Sequence, residues 1–117
     1  MKEFSTRQLK VGQEIKAMLS EIFVRGGIYD PGTRSEINIT VSEVQVAPDL
    51  ANATVFFIPL AGKDKDKMAG IVNGVAKRLK FEIGKQMRTK KIPDLYFKLD
   101  KTFDNAQRMS EIIKGNE

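Results

Sequence analysis

"INITVSEVQVAPDLANATVFFIPL", residues 37–60, is the stretch on which the fold turns. Ile37, Ile39 and Val41 alternate with polar neighbours, which puts one apolar face on a strand predicted over Glu36–Val46. Val44 and Val46 fall out of phase with that alternation, so a bulge or bend is expected around Ser42 and Glu43. "APD" then separates this strand from a second β-prone run, Leu50–Ile58. A parallel partner would need a crossover of roughly a dozen residues or more, so the short link predicts an antiparallel hairpin.

Upstream of the hairpin, Ser5 and Gln8 have capping-box spacing and predict a helix that begins near Thr6. Val11, Ile15, Leu19, Ile22 and Phe23 place an apolar stripe along it, and Gly26 and Gly27 supply a left-handed stop. "DPGT", Asp30 to Thr33, reads as a turn in which Pro31 presets one angle and Gly32 takes positive φ. Downstream of the hairpin, Met68, Val72, Val75, Leu79, Ile83 and Met87 recur at helical spacing and predict one long helix. Pro93 ends it by forcing Ile92 out of the helical region. "DLYFKLD", Asp94 to Asp100, alternates again with Leu95, Phe97 and Leu99 on one side, and a last helix is expected from about Thr102 to Lys114.

The element order is α-β-β-α-β-α, an α+β fold with a three-stranded sheet covered by helices on one face. A chain of 117 residues fits one domain over residues 1–117, with frayed ends at about 1–4 and 115–117. No apolar run approaches the roughly 20 residues that span a bilayer, and "MKEFSTRQ" has no apolar core of a signal peptide. A cytoplasmic protein with no membrane partner is expected, and monomer is the default.

Composition also narrows the chemistry. There is no His and no Cys, which removes the commonest metal ligands, the usual base near neutral pH and the thiolate nucleophile. Asp64 and Asp66 in "KDKDK" are interleaved with Lys63, Lys65 and Lys67 and lack calcium-loop spacing, so this run reads as a solvated loop. No catalytic residue, metal or cofactor is implied.

The charge is local. From Lys77 to Lys91 seven basic residues stand against the single acid Glu82, so this segment carries +6 and the remainder of the chain −1. Wound as a helix, Leu79, Ile83 and Met87 face the sheet within roughly 80° of one another. Lys77, Arg78, Phe81, Lys85 and Arg88 cluster on the opposite side. Basic residues on an outer helix face, and near a helix C-terminus, are ordinary taken singly. The near absence of interleaved acid is what points to a polyanionic partner, with Lys77, Arg78, Lys80, Lys85, Arg88, Lys90 and Lys91 as phosphate contacts. Arg7 and Lys10 on the first helix are weaker candidates. Phe81 has two readings, a ring packed beneath a neighbouring element or a stacking platform for a base. Gly74 is a candidate kink with Val75 and Ala76.

Two runs carry a family resemblance: V-x-V-x-x-D-L-x-x-A-x-V (Val44, Val46, Asp49, Leu50, Ala53, Val55) and R-x-x-x-x-P-x-L-x-F-x-x-D (Arg88, Pro93, Leu95, Phe97, Asp100). With "RQLKVGQEIKAMLSEI" and "AQRMSEII" they make the chain resemble the ribosome-binding factor A proteins over nearly its whole length. The resemblance implies a KH-like domain of the bacterial (type II) arrangement, with two of three strands parallel. It implies a non-enzymatic assembly factor that associates with free or immature small (30S) ribosomal subunits and their rRNA, assists late rRNA maturation including 5′-end processing, and matters in cold adaptation. An assembly GTPase is the further partner it implies. Like the family, the chain has no GxxG loop. The family's Ala-x-Gly kink falls on Val75, Ala76 and Lys77 and is not reproduced, with Gly74 standing one position earlier. Asp49 and Asp100, at strand ends in the two runs, are expected to serve turns and caps. The alternative is a protein-binding adaptor for an acidic partner surface with no direct RNA role; an enzyme built on carboxylates or lysines is the third reading.

Overall fold

The computed structural model describes residues 4–60, 65–89 and 91–101, with the side chains of 65 and 66 excepted. The expected last helix, Thr102–Lys114, lies outside the described residues, as does Lys90.

Three strands, β1 (Ile39–Val46), β2 (Asn52–Pro59) and β3 (Asp94–Leu99), form one sheet in the order β1-β2-β3. β1 and β2 are antiparallel, with Ile39 opposite Pro59 and Val46 opposite Ala53. β2 and β3 are parallel, from Asn52 opposite Asp94 to Phe57 opposite Leu99. The expected bulge is present: Val41 faces Phe57 and Glu43 faces Phe56, leaving Ser42 as the extra residue. β1 starts at Ile39, three residues later than the alternation suggests. Residues before it pair elsewhere, since the Ile37 amide donates to the Ile28 carbonyl and Glu36 bridges Tyr29. β2 starts at Asn52 because the connection consumes Leu50, which is left-handed (φ 61°) with its amide donating to the Ala47 carbonyl. Asp49 has the expected turn role, its Oδ1 accepting from the Ala51 amide at 3.0 Å. Asp100 instead accepts from the Ser42 hydroxyl at 2.6 Å, spanning β2 to join the end of β3 to the bulge.

α1 (Thr6–Arg25) begins with the full Ser5–Gln8 capping box and stops at Gly26, whose φ of 79° excludes most other residues. Gly12 is demanded by packing: a Cβ there would sit 2.9 Å from the Val44 carbonyl oxygen of β1. Gln8 does more than cap. It is buried, and its Nε2 donates to the Val46 carbonyl at 2.8 Å, tying the first turn of α1 to the end of β1.

The long helix is two helices, α2 (Lys65–Asn73) and α3 (Ala76–Gly84). The break falls at Gly74 and Val75, where the Gly74 amide is shared between the Gly70 and Ile71 carbonyls, both at 3.1 Å, and Val75 turns back to Val72. The charged run expected as a loop therefore supplies, from Lys65 on, the first turn of α2. Helical geometry also ends at Gly84, well before Pro93: the amides of Gln86 and Met87 both turn back to the Ile83 carbonyl, so the ladder gives out at a residue of poor helix propensity. Met87 is buried all the same, by a chain that has left the helix. The "DPGT" turn closes differently from the expectation. The Arg34 amide donates to the Asp30 carbonyl at 2.7 Å, and the positive φ (61°) falls on Arg34, not on Gly32.

The core lies between the helices and one face of the sheet. Ile15 and Leu19 of α1, Val72 of α2, and Leu79 and Ile83 of α3 are fully buried with Val55 and Phe57 of the central strand. Each such side chain contributes about 1.5–3 kcal/mol. Phe57 and Phe97 meet edge-to-face, with centroids 6.4 Å apart. The other sheet face presents Thr40, Tyr96 and Lys98 to solvent.

Candidate nucleic-acid interface

The orientation of α3 follows from its apolar positions. Ala76, Leu79 and Ile83 are buried, which turns Lys77, Arg78 and Phe81 outward, with Lys85 capping the helix end. Phe81 is 65% exposed, so of its two readings the described residues leave the ring uncovered. Lys85 Nζ lies over it, 4.7 Å from the ring centroid, and stands 3.6 Å from Glu82. Lys80 differs from its neighbours. Its Nζ donates to Asp94 Oδ1 at 2.7 Å and pins α3 to the start of β3. That bond and the charge of Lys80, with a smaller contribution from Lys77, hold the Asp94 carboxyl below its ordinary value of 3.8.

Two grooves meet on this face. One is lined by Lys77, Lys80, Phe81, Gly84, Lys85 and Ile92. The other runs along β3 between Asn73, Ala76, Lys77, Lys80, Asp94, Leu95 and Tyr96. Lys77 and Lys80 line both; Tyr96, 55% exposed, alternates with the buried Leu95 and Phe97 and so projects from the sheet face opposite the helices.

The remaining predicted cations among the described residues line neither groove. Arg78 and Arg88 are exposed, Arg88 beyond the helix end and not on its wheel. Lys91 and Arg7 come together across the chain in a separate crevice with Pro48, Asp49, Leu50 and Thr89. Lys10 is exposed on α1 and lines neither groove of the α3 face.

Three residues near this surface escape sequence reasoning. Tyr96 and Asp94 read only as strand positions, because their relation to α3 depends on how the helix lies against β3. Asn73 is the third. Its Oδ1 accepts from the Phe97 amide at 2.7 Å, and its Nδ2 donates to the Phe97 carbonyl at 3.0 Å and to Ala69 at 2.8 Å. The side chain thus acts as one residue of an added strand on the edge of β3, fixing where α2 ends. The Asn-Gly pair at 73–74, a turn signal inside a helical pattern, is the trace of this in the sequence.

What this face offers is positive charge and one exposed aromatic ring, Phe81. Among the described residues no group of three or more acidic, His or Cys side chains could hold a metal ion. No helix among them is long and apolar enough to cross a membrane.

Comparison with known proteins agrees with the architecture. The structure is similar to the crystal structure of ribosome-binding factor A from Thermus thermophilus, with a TM-score of 0.63 at 15% identity, covering 79% of this chain and 94% of that one. It is also similar to coordinates of the Thermus thermophilus factor fitted into a cryo-EM map of its 30S complex (TM-score 0.52, 15% identity, 73% and 90% covered). In sequence it is 40% identical over 116 residues to ribosome-binding factor A of Paramagnetospirillum magneticum, covering 97% of this chain and 79% of that protein. The family model for ribosome-binding factor A matches residues 7–113, which takes in α1, the bulged hairpin, the broken helix and β3 together. With sequence and architecture agreeing over that span, the chain belongs to the ribosome-binding factor A family.

Proposed function

We propose that this protein is a non-enzymatic ribosome assembly factor of the cytoplasm, acting as one monomeric domain on free or immature small subunits. It assists late maturation of the small-subunit rRNA, including its 5′ end, works alongside an assembly GTPase, and matters most in the cold. Family membership supports the reading, as does the related Thermus thermophilus protein having been fitted into a map of a 30S complex. The observation in this chain that carries it is the α3 face, where Lys77, Arg78 and Lys85 stand exposed and whose ion pairs among the described residues are Lys85 with Glu82 and Lys80 with Asp94. Such residues neutralise phosphates and orient a protein on folded RNA without reading its sequence. Arg88, exposed beyond the helix end, is a further contact, and Arg7 with Lys91 provides another, with Lys10 and Lys90 as additional cations.

The test is co-sedimentation with purified small subunits, large subunits and whole ribosomes across a salt series, beside a variant with Lys77, Arg78, Lys85 and Arg88 changed to Ala. Selective binding to small subunits, lost in a variant with an intact circular dichroism spectrum, is the expected result. Equal binding to all particles would reduce the protein to a nonspecific polycation. Selective binding with weak salt dependence and no loss in the variant would favour an adaptor that recognises a protein surface.

A further inference from the structure

Among the described residues one buried side-chain polar atom has no hydrogen-bond partner, the hydroxyl oxygen of Thr89. A polar group shut away from water without a partner costs folding free energy, and native proteins keep few of them. Thr89 lines a crevice with Arg7, Pro48, Asp49, Leu50 and Lys91. Three separate parts of the chain meet there: the first turn of α1, the turn between β1 and β2, and the segment that leads from α3 to β3. Arg7 and Lys91 are exposed, and neither makes an ion pair among the described residues. Asp49 lines the same crevice, but its Oδ1 accepts from the Ala51 amide at 3.0 Å and its carboxylate pairs with neither cation. The crevice therefore gathers two cations and a spare hydroxyl donor around a single acid that is turned to its own turn.

We infer that this crevice is a site for one phosphate group, held by Arg7 and Lys91 through charge and by the Thr89 hydroxyl through a hydrogen bond. The Arg guanidinium presents a fork of N–H donors that matches phosphate oxygens, and Lys adds a point charge. Rotation of the Thr89 side chain about its Cα–Cβ bond brings the hydroxyl to a phosphate oxygen, so the bound state supplies the acceptor that the free protein lacks. Asp49 opposes the same anion and limits its affinity. The site shares no residue with the two grooves of the α3 face. That RNA is the source of the phosphate, at a chain end or within the backbone, rests on the proposed function; the phosphate site itself does not.

The experiment titrates inorganic phosphate into the full chain, against chloride at constant ionic strength, and follows backbone amide shifts by NMR. Saturable shifts centred on Arg7, Leu50, Thr89 and Lys91 are the expected result. Arg7→Gln and Lys91→Gln should each weaken binding by about tenfold, whereas Lys16→Gln, which removes an exposed cation elsewhere on α1, should not. Thr89→Val has two opposite effects. It should weaken phosphate binding by about tenfold and raise the melting temperature in phosphate-free buffer by a few degrees, because the unpartnered hydroxyl is gone. Unchanged affinity in the Arg7, Lys91 and Thr89 variants, or shifts spread evenly over the surface cations, would overturn the site. A lower melting temperature for Thr89→Val would show that the hydroxyl already has a partner in the free protein and would overturn its role. Displacement of phosphate by the dinucleotide UpU assigns the site to an internal phosphate, and displacement by uridine 5′-monophosphate alone assigns it to a chain end; displacement by neither overturns RNA as the source. Since inorganic phosphate is the probe, a negative result leaves small-subunit binding by the α3 face standing, and failed co-sedimentation leaves the phosphate result standing.

Discussion

At the scale of single residues, two side chains show how a local rule and a tertiary contact part company. Gln8 completes a capping box, and Glu is an equally good residue for that box. The buried Nε2, however, donates to the Val46 carbonyl. Gln8→Glu would keep the cap and set a carboxylate against that carbonyl, so it should lower stability by about 1–3 kcal/mol in urea unfolding at neutral pH. No loss would mean that the bond to Val46 is immaterial. Asn73 makes two bonds to the backbone of Phe97 on a sheet edge. Asn73→Ala leaves that amide and carbonyl to find other partners and is expected to cost about 1–3 kcal/mol. Asn73→Asp retains an acceptor for the amide and should fall between the parent and the Ala variant in the same measurement. Position 73 is exposed and polar, so neither effect is apparent from composition.

At the scale of elements, the joint between α3 and β3 is electrostatic as well as apolar. Asp94 has its carboxyl held low by Lys80, and Asp30 is held low in its own turn by the Gly32 amide and then by the Thr33 hydroxyl. For a carboxyl whose folded value is depressed, the stabilising contribution is complete above the unfolded value, near 3.8 here, and is lost as pH falls through the lower folded value. The unfolding midpoint should therefore drop below about pH 4. Asp94→Asn should flatten that acid limb while leaving the part due to Asp30, as read from urea midpoints at closely spaced pH values. An unchanged limb would show that the pair is a solvent-screened contact with no effect on folding. The same joint explains where the basic face begins: the break at Gly74 and Val75 resets the helical phase, so α3 is oriented by Ala76, Leu79 and Ile83 alone.

At the scale of the whole molecule, function rests on how cations are divided between the folded protein's own acids and a partner's phosphates. Lys77 is exposed and makes no ion pair among the described residues, whereas Lys80 is engaged by Asp94. Lys77→Gln should lower the slope of log affinity against log salt by about 0.7–0.9, the value of one phosphate contact. Lys80→Gln should lower it by clearly less, because that charge must leave Asp94 before it can neutralise RNA. Equal effects in filter binding would show that the pair opens on the RNA. The hairpin, its bulge, the first helix with its cap, and the concentration of charge between Lys77 and Lys91 are all determined by the sequence alone, since each depends on periodicity or on residues a few positions apart. The helix end at Gly84, the pairing of Lys80 with Asp94 and the bonds from Asn73 to Phe97 were decided only by the tertiary structure, whereas the break in the long helix falls at the Gly74–Val75 kink that the sequence already offers. These tertiary features depend on contacts between residues distant in the chain, since Asn73 meets Phe97 and Lys80 meets Asp94 only because α2 and α3 lie against β3, which no pattern of neighbouring residues encodes.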